Sequence, residues 1–196
     1  MPPHVVEQWK LELHWREGIA DRDPLAVTLR RRIVEYEDAG HGACWLRDER
    51  IAALVENAFS HFDGQRYRLI AWCVMPNHVH VLIETWPGHP LGTVLHSWKS
   101  FTAQQPSKLL ERTGPFWARE YHDRFIRDDH HFELAVAYIE QNPVKAGLVA
   151  SAEAWPFGSA ARKERVAEDE DDAARDGGDP KAQRAKRNLY AIRTQF

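Results

Sequence analysis

The chain predicts an α+β fold: a ferredoxin-like antiparallel sheet with helices on one face, lacking its first strand and ending in a disordered tail. Three observations support this. Apolar residues recur at helical spacing over 48–62, two alternating apolar runs meet at Pro76-Asn77, and a second helical stripe is followed by an aromatic strand and another helix. Helix, hairpin, helix, strand is most of a ferredoxin-like layer.

In the first helix, Ile51, Leu54, Val55, Ala58, Phe59 and Phe62 form one broad stripe. The hairpin follows, with strands over 67–75 and 78–85; Pro76-Asn77 supplies the tight turn, and Val79, Val81 and Ile83 fill one strand face. Leu91, Val94, Leu95, Trp98 and Phe101 mark the second helix, which Pro106 kinks or ends. The aromatic and β-branched run over 116–126 reads as a strand. A helix from about Asp128 to Asn142 comes next, closed by Asn142-Pro143. Near the start, Trp9, Leu11, Leu13 and Trp15 alternate like a strand, but Val6, Trp9 and Leu13 also fit a helix, and helix is the better reading. The expected organisation is a helical segment over 1–47, a catalytic domain over 48–158 and a charged tail over 159–196, too poor in apolar residues to order itself.

No apolar stretch approaches the roughly 20 residues of a bilayer-spanning helix, and the start has no signal-peptide core, so a cytoplasmic protein is expected. Cys44 and Cys73 form neither a CxxC pair nor a disulfide framework and read as reduced packing residues. A net charge of −3 gives no global pull on nucleic acid, so any phosphate contact needs a local basic surface.

The chemical signal is the pair His78 and His80. Residues two apart on a strand point to the same face, so both imidazoles project together from apolar backbone. With 11 His in 196 residues, chance supplies about 0.6 such spacings, so the pair gains weight only from its strand setting. Tyr138 and Asn142 lie one helical turn apart and can reach one site. A tyrosine oxygen is a competent nucleophile toward phosphorus once a cation lowers its pKa, and two histidines with one amide oxygen can hold that cation while leaving positions open. A helical tyrosine alone is more often a packing residue. Tyr36, Tyr67, Tyr121 and Tyr190 lack the ligand-capable neighbour that sets Tyr138 apart.

Four segments carry a resemblance: MPNHVHVLIE at 75–84, HSWKSFTA at 96–103, FWAREYHDRFIRD at 116–128 and YIEQNPVKAGLV at 138–149. Over about residues 40–158 the chain resembles the REP-associated tyrosine transposases, IS200-like members of the HUH single-stranded DNA endonuclease superfamily. The resemblance implies His78 and His80 as paired metal ligands, Tyr138 as nucleophile, Asn142 as third ligand, and magnesium or manganese as the ion. It implies nicking and strand transfer through a 5′-phosphotyrosine on single-stranded or palindromic hairpin DNA, by a monomer or homodimer with no membrane partner. Lys99, Arg119, Arg124, Arg127 and Lys145 are the expected phosphate contacts; Trp98 or Trp117 could offer base-stacking surfaces, but core packing is the better reading of both.

The chain departs from the family pattern at its start. Members open with an aromatic, β-branched strand, central in the sheet and expected to pair beside 78–85, whereas this sequence begins where the following helix should. That leaves four readings: a start placed too late, substitution by residues 9–15, cover from another chain, or a decayed copy. The alternative function is therefore a degenerate or domesticated nucleic-acid-binding module that no longer cuts. A third reading is a zinc hydrolase built on the two histidines.

Overall fold

The structure, a computed structural model, describes residues 3–16, 18–20, 22–38, 40–111, 113–118, 121–163 and 188–195. The elements run α1 (Pro3–Glu12), α2 (Pro24–Asp38), α3 (Glu49–Ser60), β1 (Tyr67–Val74), β2 (His78–Thr85), α4 (Leu91–Leu109), β3 (Tyr121–Phe125), α5 (Asp129–Glu140), α6 (Asn142–Lys145) and β4 (Asn188–Gln195). Four antiparallel strands pair in the order β1-β2-β4-β3. The mixed α+β class read from the sequence is the class observed.

Local chemistry starts and stops the helices. Asp48 caps α3 by accepting from Arg50 N, and Asp128 caps α5 by accepting from His131 N. Pro106 does not end α4, which continues to Leu109. Asn142 opens the short α6 rather than closing α5, with Pro143 in the first turn, where its missing N–H costs nothing. The N-terminal segment is helical, as its periodicity suggests; the Trp9 and Tyr36 rings meet in a T-shaped contact, joining α1 to α2.

The helices cover both faces of the sheet, not one. On one face Val79, Val81 and Ile83 pack with Trp72, Val74 and Ile192 under α3 (Ile51, Val55, Phe59) and α4 (Val94, Leu95, Trp98). On the other, Leu82 packs with Ala71, Cys73, Met75 and Leu189 under α5 through Ile139 and Phe132. Every residue of β2 is buried except Glu84, so both of its surfaces need cover. A β-bulge between Leu69 and Ala71 reverses the alternation of β1: Tyr67 and Leu69 share a face with Trp72 and Val74.

The central slot beside β2, left empty in the sequence reading, is filled by residues 188–195. The polar composition of the tail predicts disorder here, but these residues pair along all of β2, from His78 with Gln195 to Thr85 with Asn188, and along β3 on the other side. The run NLYAIRTQ alternates Leu189, Ala191 and Arg193 with Tyr190, Ile192 and Thr194, a strand pattern obscured by its polar neighbours. The expected disorder of 164–187 falls outside the described residues. Among the described residues no helix is long and apolar enough to cross a membrane.

Candidate metal centre and nucleophile

His78 and His80 project from the same face of β2, as a period of two requires, and their Nε2 atoms stand 2.9 Å apart. Both rings are buried. Asn77 lies beside them: its Oδ1 is 2.7 Å from His78 Nδ1, and its Nδ2 donates to His41 O at 2.6 Å. With its amide N–H committed to His41, Asn77 offers only an acceptor. This fixes the His78 proton on Nδ1 and leaves the Nε2 lone pair facing His80.

Two residues the sequence reading missed complete the cluster. Asp38, the last residue of α2, places Oδ1 3.3 Å from His78 Nε2 and 3.9 Å from His80 Nε2. Its Oδ2 accepts from the Tyr138 hydroxyl at 3.0 Å. Arg193 pairs across the sheet with His80, and its guanidinium donates to Asp38 Oδ1 at 2.9 Å. No sequence signal marks Asp38, an acid at the end of an amphipathic helix. Arg193 was hidden with its strand.

Electrostatics follow from burial and from this one carboxylate. Burial works against the charge of Asp38, but the His80 ring, Arg193 and the Tyr138 hydroxyl together hold its carboxyl below the ordinary value. Burial lowers both histidines, His78 furthest, with Arg193 adding to the effect on each; Asp38 partly opposes it at His80. Both rings are therefore neutral and able to ligate at neutral pH. Burial, then the charge of Asp38 and its hydrogen bond, pushes Tyr138 up to about 12, so this side chain is held as the phenol.

The donor set fits a divalent ion. His78 Nε2, His80 Nε2 and Asp38 Oδ1 are separated by 2.9, 3.3 and 3.9 Å, so a centre about 2.0 Å from each exists, close to the Mg²⁺–ligand distance of about 2.0–2.1 Å. Asn142 reaches the same point: Nδ2 is 3.2 Å from His80 Nε2, and Oδ1 is buried with no hydrogen-bond partner. Amide oxygen and nitrogen exchange by a half-turn of the side chain, which would aim the oxygen at the histidines. Lone pairs converging in a buried space are costly unless a cation or proton sits among them.

The other expected residues divide. Lys145 holds its Nζ 4.9 Å over the Tyr138 ring, at the edge of the site. Arg124 pairs with Ala191, sharing the face of the histidines, and both it and Arg127 are exposed. Lys99 lies on the opposite face, where its Nζ donates to Ala118 O at 2.8 Å. Arg119 falls outside the described residues. Trp98 and Trp117 are buried core residues, the better reading of both from the sequence, Trp98 donating to Tyr67 Oη and Trp117 to Thr102 Oγ1.

The chain is similar to known proteins. A protein of Haemophilus influenzae named as a REP-associated tyrosine transposase is 27% identical over 103 residues, covering 47% of this chain and 58% of the relative. The chain thus spans less than two thirds of that relative's length. A solved structure described as a REP-associated tyrosine transposase bound to a REP hairpin is 24% identical, with a TM-score of 0.48, over 67% of this chain and 78% of the other. The family model "Transposase IS200 like" matches residues 45–142, half of the chain, from the turn before α3 to the asparagine that opens α6. A stretch of that extent, with the histidine strand and the tyrosine helix both inside it, means that the chain belongs to the IS200-like transposase family.

Proposed function

We propose that the chain nicks and rejoins single-stranded DNA through Tyr138, with a divalent ion, magnesium or manganese, held by His78, His80 and Asn142, and that its substrates are palindromic repeat hairpins. The observation supporting this reading is the meeting of three elements on one carboxylate: the Tyr138 oxygen lies 3.0 Å from Asp38 Oδ2, while Asp38 Oδ1 lies 3.3 Å from His78 Nε2. A nucleophile and a paired-imidazole site are thus within one side chain of each other.

When bound, the ion would supply Lewis-acid stabilisation of the charge that develops on the scissile phosphate. The chain's own groups do the rest. Tyr138 Oη attacks phosphorus, the bond to O3′ breaks, the phenol proton is passed on to the departing oxygen, and the products are a 5′-phosphotyrosine and a free 3′-hydroxyl. Reversal by an incoming 3′-hydroxyl rejoins strands without a nucleotide triphosphate. Lys145, whose Nζ is 4.9 Å from the Tyr138 ring, and the exposed Arg124 and Arg127 would grip the strand on either side of the scissile phosphate, and Arg193 adds a buried positive charge beside Asp38.

The non-cutting alternative rested on an absent central strand. β4 occupies that place, so no specific observation now favours it. Incubating the chain with end-labelled single-stranded hairpin DNA and Mn²⁺ tests the proposal. The expected result is a covalent adduct that resists denaturant and disappears in Tyr138→Phe, while hairpin binding persists. Cleavage that survives Tyr138→Phe would instead point to metal-bound water, as in a hydrolase.

A further inference from the structure

Asp38 lies outside the stretch matched by the family model, on a helix with no expected part in the chemistry. Its position is nonetheless specific. The side chain is three-quarters shielded, and its two oxygens face different partners: Oδ1 faces the histidine pair and Arg193, and Oδ2 faces the Tyr138 hydroxyl. Neighbouring contacts hold α2 so that this carboxylate has little freedom. Arg193 also approaches Val34 O at 3.5 Å, the Tyr36 ring stacks on His41 at 4.2 Å, and His41 O anchors the Asn77 that orients His78.

We propose that Asp38 is the bridge of this centre: Oδ1 is a ligand of the same divalent ion as His78 and His80, and Oδ2 holds the Tyr138 hydroxyl beside that ion. The inference rests on the reading of the histidine pair as a metal site and extends it to α2. Two physical arguments favour the bridge over a simple ion pair with Arg193. The three atoms His78 Nε2, His80 Nε2 and Asp38 Oδ1 share a centre at ligand distance, which an ion pair does not require. A carboxylate is also the hard, charged oxygen that magnesium and manganese favour and that two imidazoles and an amide do not supply. The hydrogen bond to Oδ2 turns the phenol hydrogen toward Asp38, leaving the oxygen lone pairs directed away from α2, free to meet phosphorus. Asp38 is in this sense a positioning residue for Tyr138, and α2 is part of the catalytic centre.

The test is a Mn²⁺ titration of the full chain by calorimetry, comparing wild type with Asp38→Ala, Asp38→Asn, Asp38→Glu and, as a reference for the site itself, His80→Ala. Circular dichroism checks that each variant is folded. The bridge predicts Mn²⁺ affinity at least about tenfold weaker in Asp38→Ala and Asp38→Asn, with partial recovery in Asp38→Glu. The near-isosteric Asn variant decides the matter if the Ala variant does not fold. Wild-type affinity in Asp38→Asn, with affinity lost in His80→Ala, overturns the bridge and leaves the metal reading intact; unchanged affinity in His80→Ala overturns the metal reading itself. The second half is read at saturating Mn²⁺, where adduct formation with hairpin DNA by Asp38→Asn should remain at least about tenfold slower than wild type. Full recovery of the rate would show that Oδ2 does not position the tyrosine.

Discussion

At the scale of single residues, the site is controlled by groups that would not touch DNA. Asn77 fixes the tautomer of His78, so Asn77→Ala should weaken Mn²⁺ binding about 10–100-fold, while circular dichroism shows the fold retained. Away from the site, Trp98 Nε1 donates to Tyr67 Oη at 2.8 Å and Tyr67 donates to Phe59 O at 2.7 Å, all of it buried. Tyr67→Phe strands a donor and an acceptor at once and should cost about 1–3 kcal/mol in urea unfolding. Burial pushes the Cys73 thiol well above its ordinary range, whereas Cys44 is half-exposed. An aromatic disulfide reagent should therefore modify one thiol in the folded protein and two after denaturation; rapid reaction of both without denaturant would contradict the burial of β1.

At the scale of elements, β4 carries the most weight for its length. It is hydrogen-bonded on both sides, supplies Ile192 to one core and Leu189 to the other, and brings Arg193 opposite His80. Ile192→Ala should cost about 2–5 kcal/mol by opening a cavity between β4 and α3–α4, measurable as a lowered urea midpoint. By contrast, Phe125→Ala at the exposed edge strand should cost far less, because that ring is 47% exposed, its edge-to-face contact being with Tyr190.

At the scale of the whole molecule, a net charge of −3 gives no overall field to attract DNA, so the proposed hairpin binding would have to draw on a few local cations, those of the histidine face. Hairpin binding should therefore weaken with salt, with a slope set by a small number of phosphates. Lys145→Ala and Arg124→Ala should each reduce that slope by about 0.7–0.9, whereas Arg50→Ala, removing an exposed cation of α3, should leave it unchanged. Fluorescence titration of a labelled hairpin across a salt series gives these slopes directly.

Most of this architecture follows from local pattern. The α3 stripe, the hairpin at Pro76-Asn77, the shared face of His78 and His80 and the one-turn spacing of Tyr138 and Asn142 are periodicities of the backbone itself, so the sequence alone sets them. Tertiary structure decided the rest, because it depends on partners distant in the chain. Only packing shows that β2 is covered on both faces, that a short alternating run beyond a polar stretch is its central partner, and that the last residue of α2 brings a carboxylate to the histidines. A side chain's period is written in its neighbours along the chain, whereas the residue it meets across the fold is set by how the elements pack.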